Sequence, residues 1–401
     1  MIYLDNAATA NPKAPGVAAG MARSLGDLNA NPGHGGHRLA LAATLAVYEA
    51  RERLARLLGV RDPARLVFTA GATAALNQAI WGSLPPGPAH VICTTWEHNA
   101  VLRPLWEWRR RTGGTVTVLP PGTDGPFALE RLEAAITPDT ALIVVNAASN
   151  VTGSLAPVTE AGEIARARGI RMLVDGAQVA GHLPLALSDL PVDLWACPGH
   201  KGLLGPQGVG LLYLRPGIEL PPLVQGGAGF DSARQTPPDD APERYEAGTL
   251  NTPGILGLGA AADYLLGFNL VDEHQRLELL ARRLCVGLGR VEGLRLHTAP
   301  TPARGVGVVS CTIPGWTPAR AAEVLDREFG ICVRSGLHCA PLAHAALGTA
   351  NGGTVRLSLG HFTTADEIDA AVSAISALAA HPDTGTAVFR QPLTTAAGIT
   401  P

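Results

Sequence analysis

The chain has 401 residues, of which 46% are hydrophobic and 4% aromatic, and its formal net charge is −3 with a pI near 6.5. This length predicts two domains, or one large domain with a subdomain, around a sizeable core. The weakly acidic balance and the few aromatic residues argue against nucleic-acid binding. No apolar run is long enough to span a bilayer and the N-terminus lacks a secretory pattern, so we expect a cytoplasmic protein without a membrane segment.

Short β-branched runs alternate with segments of helical period between residues 66 and 215. Strands are predicted at 66–69, 90–95, 115–119, 141–146, 171–174, 194–197 and 209–214, and helices at 73–84, 101–111, 129–136 and 159–168. Strands separated by crossover helices predict an α/β fold with a mostly parallel sheet that is buried on both faces. Ligands of such sheets lie beyond the carboxyl ends of the strands.

The pattern changes near residue 251. Helices are predicted near 254–266, 272–290, 318–329 and 365–380, strands near 306–313 and 354–359, and a short apolar run at 331–333. This second part reads as a smaller α+β domain. The last segment, 381–401, is rich in Thr, Ala, Gly and Pro, and we expect a mobile tail.

Lysine is almost absent from the chain: only Lys13 and Lys201 are present, and the other 29 of the 31 basic residues are arginine. Lys201 lies in the sequence Cys-Pro-Gly-His-Lys-Gly, where a primary amine can form a Schiff base with a carbonyl cofactor and an arginine cannot. A surface cation is the ordinary interpretation of a single lysine, and we assign Lys13 to it. The neighbours of Lys201 favour a cofactor.

Two polar turns that follow strands precede Lys201. Ala72 and Thr73 open a helix after a glycine, which predicts a phosphate-binding turn, although a simple helix N-cap has the same pattern. Asp175 ends an apolar strand, where its carboxylate either caps the next turn or needs a cationic or donor partner. Asp175, Gln178 and Lys201 together favour pyridoxal phosphate (PLP), with Asp175 at the ring nitrogen and Gln178 donating to the phenolate oxygen.

Two further candidates are each open to a structural interpretation. His98 follows a strand and would stack on the face of the ring, but a structural histidine in a polar loop has the same sequence context. Arg356 interrupts a β run, which predicts either a bidentate clamp on a substrate carboxylate or a buried ion pair with a protein carboxylate.

The six cysteines are dispersed, which predicts reduced thiols and no disulfide framework, zinc site or other metal site. Cys339 differs from the rest because glycine, His338 and Arg334 surround it on a polar loop that we expect to be mobile. Cationic neighbours lower the pKa of a thiol from its usual value of about 8.5, so Cys339 is a candidate nucleophile. We interpret the other five as small buried apolar residues: Cys93, Cys197, Cys285, Cys311 and Cys332.

These residues resemble the class V aminotransferase family of fold type I PLP enzymes, and within it the cysteine desulfurases. The resemblance runs from residues 2–9 to the helix after 361–364, nearly the whole chain. It is carried by Val-Asp-Gly-Ala-Gln at 174–178, Gly-His-Lys at 199–201, Ser-Asn-Val-Thr-Gly at 149–153 and the Arg-x-Gly-x-His-Cys-Ala loop at 334–340. The compact cysteine loop is similar to that of the group II desulfurases and selenocysteine lyases.

The resemblance implies an N-terminal segment at the site (1–14), a large PLP-binding domain (15–255) and a small domain with the cysteine loop (256–380). The resemblance also implies a role for each of the following residues. The catalytic residues would be Lys201, Cys339 and His98; the cofactor ligands Lys201, Asp175, Gln178, His98, Ala72, Thr73, His200, Asn150 and, from a dimer partner, Thr249; and the substrate contacts Arg356, Asn150, His37 and Arg334.

The chain departs from the family pattern at three positions. Ala72 stands where many relatives have a second threonine, Pro198 where many have a phosphate-binding serine, and Leu337 where many have a further histidine. Each change removes a polar side chain near the site. We therefore expect a phosphate site that depends more on backbone amides, and a sulfur acceptor that differs from that of the well-known members.

The activity implied is conversion of L-cysteine to L-alanine, with the sulfur held as a persulfide on Cys339 and passed to an acceptor protein, as in iron–sulfur cluster assembly. A homodimer is also implied. The alternatives are a selenocysteine lyase, a class V aminotransferase that does not use Cys339, and, less favoured, a non-enzymatic sulfur-assembly partner.

Overall fold

The structure is a computed structural model, and it describes residues 1–33, 35–122, 126–227, 229, 233–298 and 305–383. The predicted tail lies outside the described residues from residue 384 onward. The strands are β1 Ile2–Tyr3, β2 Leu66–Thr69, β3 His90–Thr94, β4 Thr115–Leu119, β5 Thr140–Asn146, β6 Arg171–Asp175, β7 Leu194–Pro198, β8 Gly210–Leu214, β9 Arg295–Leu296, β10 Val308–Thr312, β11 Ile331–Cys332, β12 Arg334–Gly336 and β13 Thr354–Ser358.

The helices lie between and beside these strands. They are α1 Val17–Gly26, α2 Arg38–Leu57, α3 Ala72–Ser83, α4 Asn99–Thr112, α5 Leu129–Ala135, α6 Val158–Ala167, α7 Thr252–Leu266, α8 Leu270–Leu288, α9 Pro318–Phe329, α10 Pro341–Ala346 and α11 Ala365–Ala380, with one short 3-10 helix at Pro63–Arg65.

Seven strands form the central sheet in the order β2-β8-β7-β6-β5-β3-β4. Strands β3 to β7 pair in parallel, and β8 lies antiparallel between β7 and β2. Strands β3, β5, β6, β7 and β8 are buried almost throughout, because helices cover both faces of the sheet. The predicted α/β fold with a mostly parallel sheet is confirmed.

Helices α1 and α2 were not predicted from the sequence. The buried face of α2 is made largely of alanine, and its opposite face exposes Leu41, Leu45 and Tyr48. When a helix carries apolar residues on two faces, the 3.6-residue period of apolar and polar positions is weak in the sequence. The helix is then difficult to predict from that period. His37 precedes α2, and its Nδ1 accepts a hydrogen bond from the backbone N–H of Ala40.

The C-terminal part has its own apolar core, in which α8, α9 and α11 pack on the antiparallel sheet β12-β13-β10-β9. The N-terminal strand β1 joins it by pairing in parallel with β11. Helix α7 instead packs with α1 and α2 in the core of the large domain. We therefore propose that the small domain begins after α7 rather than at the predicted residue 256.

Among the described residues, no single helix combines the length and apolar composition needed to cross a membrane. The pair α7 and α8 meets that test only jointly, across a bend of 86°.

A buried ion pair joins α2 to the segment that precedes α7. Both terminal nitrogens of the Arg51 guanidinium bond to the Glu246 carboxylate, at 2.7 and 2.8 Å, and the side chains are 6% and 5% exposed. The same carboxylate accepts the backbone N–H of Phe68 on β2. Because removing one partner leaves the other charge buried, this pair constrains how α2 lies against the sheet.

We predict that Glu246→Ala lowers the free energy of unfolding by about 3–5 kcal/mol, since Arg51 is then buried without a counter-charge. Urea denaturation followed by circular dichroism measures the change. The matched control is Asp369→Ala, which breaks the exposed pair with Arg283 and should leave the midpoint nearly unchanged. Equal losses in the two variants would contradict the account.

Candidate active site

A cavity of about 680 Å³ opens at the carboxyl edge of the central sheet. It lies where the chain leaves β2, β3, β5, β6 and β7, as the parallel topology predicts. The N-terminal segment contributes Ala7 and Ala8 to its wall, and the small domain contributes Arg334 and Arg356. The predicted residues that line this cavity are Ala72, Thr73, His98, Asn150, Asp175, Gln178, Pro198, His200, Lys201, Arg334 and Arg356.

One wall of the cavity is the N-terminus of α3. Gly71, at φ +143°, turns the chain from β2 into this helix through a conformation that L-residues with side chains rarely adopt. Ala72 and Thr73 then line the cavity in the first turn of the helix, where backbone N–H groups have no intrahelical acceptor. With Ala72 here and Pro198 nearby, these amides are the donors that this wall would offer to a phosphate group.

Asp175 ends β6 and is 3% exposed. Burial raises the pKa of this carboxyl, while a hydrogen bond from the backbone N–H of Ala177 at 3.0 Å and the charge of Lys201 lower it. A cationic ring nitrogen is a partner that offsets the burial. Gln178 lies one turn further on, and its Nε2 donates to the carbonyl of Ala7 at 3.1 Å. One N–H of that amide thus holds the N-terminal segment.

Lys201 follows β7 and lines the same cavity. Burial lowers the pKa of its amine to about 8, although the negative charge of Asp175 acts in the opposite direction and raises it. A substantial fraction of the amine is therefore neutral, and nucleophilic, near physiological pH.

His98 faces Lys201 from the start of α4. Its Nδ1 accepts the backbone N–H of Ala100 at 3.0 Å, which puts the proton of the neutral ring on Nε2. Burial and the charges of Lys201 and Arg334 lower the pKa of His98 to about 4, so the ring is neutral at pH 7.

Glu97 was not predicted from the sequence; it is fully buried directly before His98. Its Oε1 accepts hydrogen bonds from Thr94 Oγ1 at 2.7 Å and from the backbone N–H of Asn146 at 2.9 Å. Burial raises its pKa to about 8. Glu97 thereby ties the end of β3 to the end of β5 beneath the cavity, and the signal for it was an acidic residue at the end of an apolar strand.

Arg356 lies on β13 and is fully buried. One terminal nitrogen bonds to Asp5 Oδ1 at 2.9 Å and the other to the carbonyl of Asn150 at 3.1 Å. The ion-pair alternative is thus the one observed, yet Arg356 also lines the cavity, and its Nε has no hydrogen-bond partner within the described ranges. Asp5 was not predicted because it lies 351 residues away in sequence.

The cysteine loop connects β12 to α10. His338 and Cys339 have φ of 49° and 59°, and Asn150 Nδ2 holds the carbonyl of His338 at 2.7 Å. The Cys339 thiol lies 3.8 Å from a guanidinium nitrogen of Arg334. It lines a second hollow that meets the main cavity at His98, rather than the main cavity itself.

Three expectations require correction. His338 is not a cationic neighbour of Cys339, because burial and the charge of Arg356 lower its pKa to about 2. Cys332 is partly exposed rather than buried. Lys13 is not a free surface charge: its Nζ donates to the carbonyl of His200 at 2.9 Å and to Thr9 Oγ1 at 3.0 Å, and burial lowers its pKa to about 8.

Two predicted site residues are not brought to the cavity of their own chain. His37 caps α2, and Thr249 lines a separate hollow with Leu223 and Val224. Leu337 is exposed on the cysteine loop. Across the described part of the chain, no group of three or more His, Cys, Asp or Glu side chains is placed to hold a metal ion.

The residues present fit PLP. The cavity joins a helix N-terminus for the phosphate, a buried carboxylate for the ring nitrogen and a neutral amine for the carbonyl carbon. Buried polar atoms without a partner among the described residues surround it: Asn150 Oδ1, His200 Nδ1 and Arg356 Nε. Buried polar groups need hydrogen bonds, so this set indicates a polar ligand.

The Aminotransferase class-V family model matches residues 2–371, and the chain belongs to this PLP-dependent family. A probable cysteine desulfurase from Methanothermobacter thermautotrophicus is 35% identical over 92% of each chain. The apo structure of a cysteine desulfurase from Thermococcus onnurineus NA1 superposes with a TM-score of 0.87 at 30% identity, over 94% of each chain. The cysteine desulfurase CsdA from Escherichia coli, with an S-sulfonic acid, gives 0.82 at 30% identity over 94% of each chain.

We predict that the rate at which the cofactor-free chain takes up PLP rises with pH with a midpoint at about 8, because only the neutral amine of Lys201 attacks an aldehyde. Stopped-flow absorbance measures this rate. In Asp175→Asn the midpoint should move to lower pH, since the charge that raises the pKa of Lys201 is lost. A wild-type midpoint near the ordinary lysine value of 10.5 would contradict the assignment.

Proposed function

We propose that this chain is a PLP-dependent cysteine desulfurase, which converts L-cysteine to L-alanine and transfers the sulfur to Cys339. The observation that carries the proposal is the placement of two nucleophiles around His98. The Lys201 amine lies in the cavity, and the Cys339 thiol lies in the hollow that opens beside it, next to Arg334. The relatives named as cysteine desulfurases support the same activity.

When bound, PLP supplies a carbonyl that condenses with amines and a ring that accepts an electron pair from a substrate carbon. The chain then has to position the amino acid and move its protons. The Arg356 guanidinium, with its free Nε, holds the substrate carboxylate, and Asn150 Oδ1 accepts a further hydrogen bond. Lys201 in its neutral form takes the proton from the substrate α-carbon.

Cys339 performs the sulfur transfer. Its thiolate attacks the substrate sulfur and forms the S–S bond of a persulfide, while the C–S bond of cysteine breaks. The electron pair of that bond stays with the amino-acid carbon, which gains a proton and becomes part of alanine. The Arg334 guanidinium lies 3.8 Å from the Cys339 sulfur, so a positive charge stands beside the attacking atom.

We predict that Cys339→Ser forms no persulfide and loses sulfide release from L-cysteine by at least about 100-fold, because a hydroxyl does not accept sulfur in this way. Mass spectrometry detects the persulfide as a mass increase of one sulfur atom. PLP absorbance should remain, since Cys339 does not line the main cavity.

The matched control for this prediction is Cys332→Ser, because Cys332 is the other partly exposed cysteine and lies on the neighbouring strand β11. This variant should keep full activity. Sulfide release that is unchanged in Cys339→Ser would refute the proposed role of Cys339. Turnover of that variant that keeps the sulfur on the substrate and requires a keto acid as amino acceptor would favour the aminotransferase alternative. With L-selenocysteine, a smaller loss in Cys339→Ser than with L-cysteine would favour the lyase alternative.

A homodimer and a separate sulfur acceptor complete the proposal. Helix α2 exposes an apolar stripe of Leu41, Leu45 and Tyr48, at 60%, 52% and 51%, and monomers seldom leave such stripes uncovered. His37 begins the same helix, and Thr249 lies in a hollow beside the exposed Leu223 and Val224. Pairing of two chains through this face would bring both residues near the partner's cavity.

We predict that Leu45→Asp shifts the chain from dimer to monomer in light scattering, because the charge would be buried between two α2 helices. Leu279→Asp is the matched control, since Leu279 is 67% exposed on α8, in the small domain. A wild-type chain that is monomeric at micromolar concentration would contradict the dimer.

A further inference from the structure

A groove of about 520 Å³ runs between α3 and α4 on the outer side of the cavity. We call it the α3–α4 groove, and the residues that matter in it are Asn77, Trp81, Arg103, Glu107, Arg111 and Cys339. Cys339 lines this groove and not the main cavity, whereas His98 and Thr73 line both. The thiol therefore opens to the groove, and the groove joins the cavity at His98 and Thr73.

The groove carries an excess of positive charge. The Glu107 carboxylate accepts hydrogen bonds from Arg110 at 2.7 and 2.8 Å and from Arg111 at 2.7 Å. The two positive charges exceed the single negative charge of Glu107. Arg111 also stacks over the Trp81 ring at 5.1 Å. Arg103 is exposed and makes no hydrogen bond or ion pair with any described residue, so its guanidinium is available to an anion.

The spacing along α4 relates this charge to the thiol. The backbone N–H of Asn99, the first residue of α4, donates to the carbonyl of Cys339 at 2.8 Å. Arg103 lies four residues further on, on the same face of the helix as Asn99. Arg111 lies two turns beyond Arg103, and all three residues line the groove. One turn separates Asn99 from Arg103, about 6 Å along the helix axis. This span matches a small molecule whose carboxylate lies a few bonds from its sulfur.

We propose that the α3–α4 groove binds a small thiol bearing carboxylate groups, of the amino-acid or short-peptide class, which takes the sulfur from Cys339. The volume of the groove is within the usual range of small-molecule sites. This inference rests on the proposed desulfurase activity and names the acceptor side of that site. Arg103 binds the carboxylate of the acceptor, and Arg111 with Trp81 forms the far wall.

The transfer step balances without a further reagent. The thiolate of the acceptor attacks the outer sulfur of the Cys339 persulfide, and a new S–S bond forms on the acceptor. The S–S bond on the enzyme breaks, and its electron pair leaves with Cys339, which returns as a thiolate. The proton of the persulfide goes with the transferred sulfur.

The test separates loading of Cys339 from unloading. The PLP-bound enzyme is loaded with L-cysteine and freed of excess substrate. The persulfide is then chased with mercaptosuccinate, β-mercaptoethanol or cysteamine, which are anionic, neutral and cationic thiols. Mass spectrometry follows the loss of one sulfur atom from Cys339, and rates are compared at equal thiolate concentration. We expect mercaptosuccinate to react fastest, with an advantage that falls as salt is added.

Two charge variants of Arg103 and one control complete the design. Arg103→Ala should reduce the preference for mercaptosuccinate over β-mercaptoethanol roughly threefold to fivefold, and Arg103→Glu should make cysteamine the preferred thiol. Alanine formation in the first turnover should be unchanged in both. Arg109→Ala removes one exposed charge from the same helix outside the groove, and should leave the preference as in the wild type.

The outcomes separate this inference from the function on which it rests. A preference for mercaptosuccinate that Arg103→Ala leaves intact, or that Arg109→Ala reduces equally, overturns the groove as the acceptor site. Equal rates for the three thiols in the wild type also overturn it, and indicate an acceptor that docks elsewhere, such as a protein. A wild-type enzyme that never forms the persulfide contradicts the desulfurase activity itself.

Discussion

An amine and a carboxylate share the carboxyl edge of the central sheet, where the surrounding protein excludes most water from both. Desolvation raises the pKa of Asp175 and lowers that of Lys201 to about 8, because burial disfavours the charged form of each group. A bound cation beside Asp175 offsets the desolvation of the carboxylate. Condensation of Lys201 with a carbonyl removes the need to bury a charged ammonium group. The edge therefore favours a ligand that offers both, which is what PLP does.

The N-terminal segment links the large and small domains across this edge of the sheet. Asp5 neutralises Arg356 from the small domain, and Lys13 holds the carbonyl of His200 in the large domain. The amide of Gln178 fixes Ala7 between these two points. The segment thus contacts both domains, and Asp5 offsets the charge of the buried guanidinium that we assign to the substrate carboxylate.

Much of this arrangement could be predicted from the sequence. Buried parallel strands appear in the sequence as short apolar runs, and the polar residues that follow these runs meet at one edge of the sheet. Asp175, His98 and Lys201 were found in this way. Long-range pairs have no such signal: Asp5 meets Arg356 because β1 pairs with β11 and Asp5 forms a bridge with Ser358 at the end of β13. The neutrality of His338 follows from burial, which its polar sequence context does not reveal. Helix α2 was not predicted because both of its faces carry apolar residues, which weakens the helical period.

The central claim is that Lys201 is the residue that binds the cofactor carbonyl. It is tested most directly by borohydride reduction of the PLP-bound chain, followed by peptide mapping of the phosphopyridoxyl label. The experiment discriminates well, because the chain has two lysines and burial lowers the pKa of each to about 8. The account predicts stoichiometric label on Lys201 and none on Lys13. Label on Lys13, or an unlabelled Lys201, would contradict it.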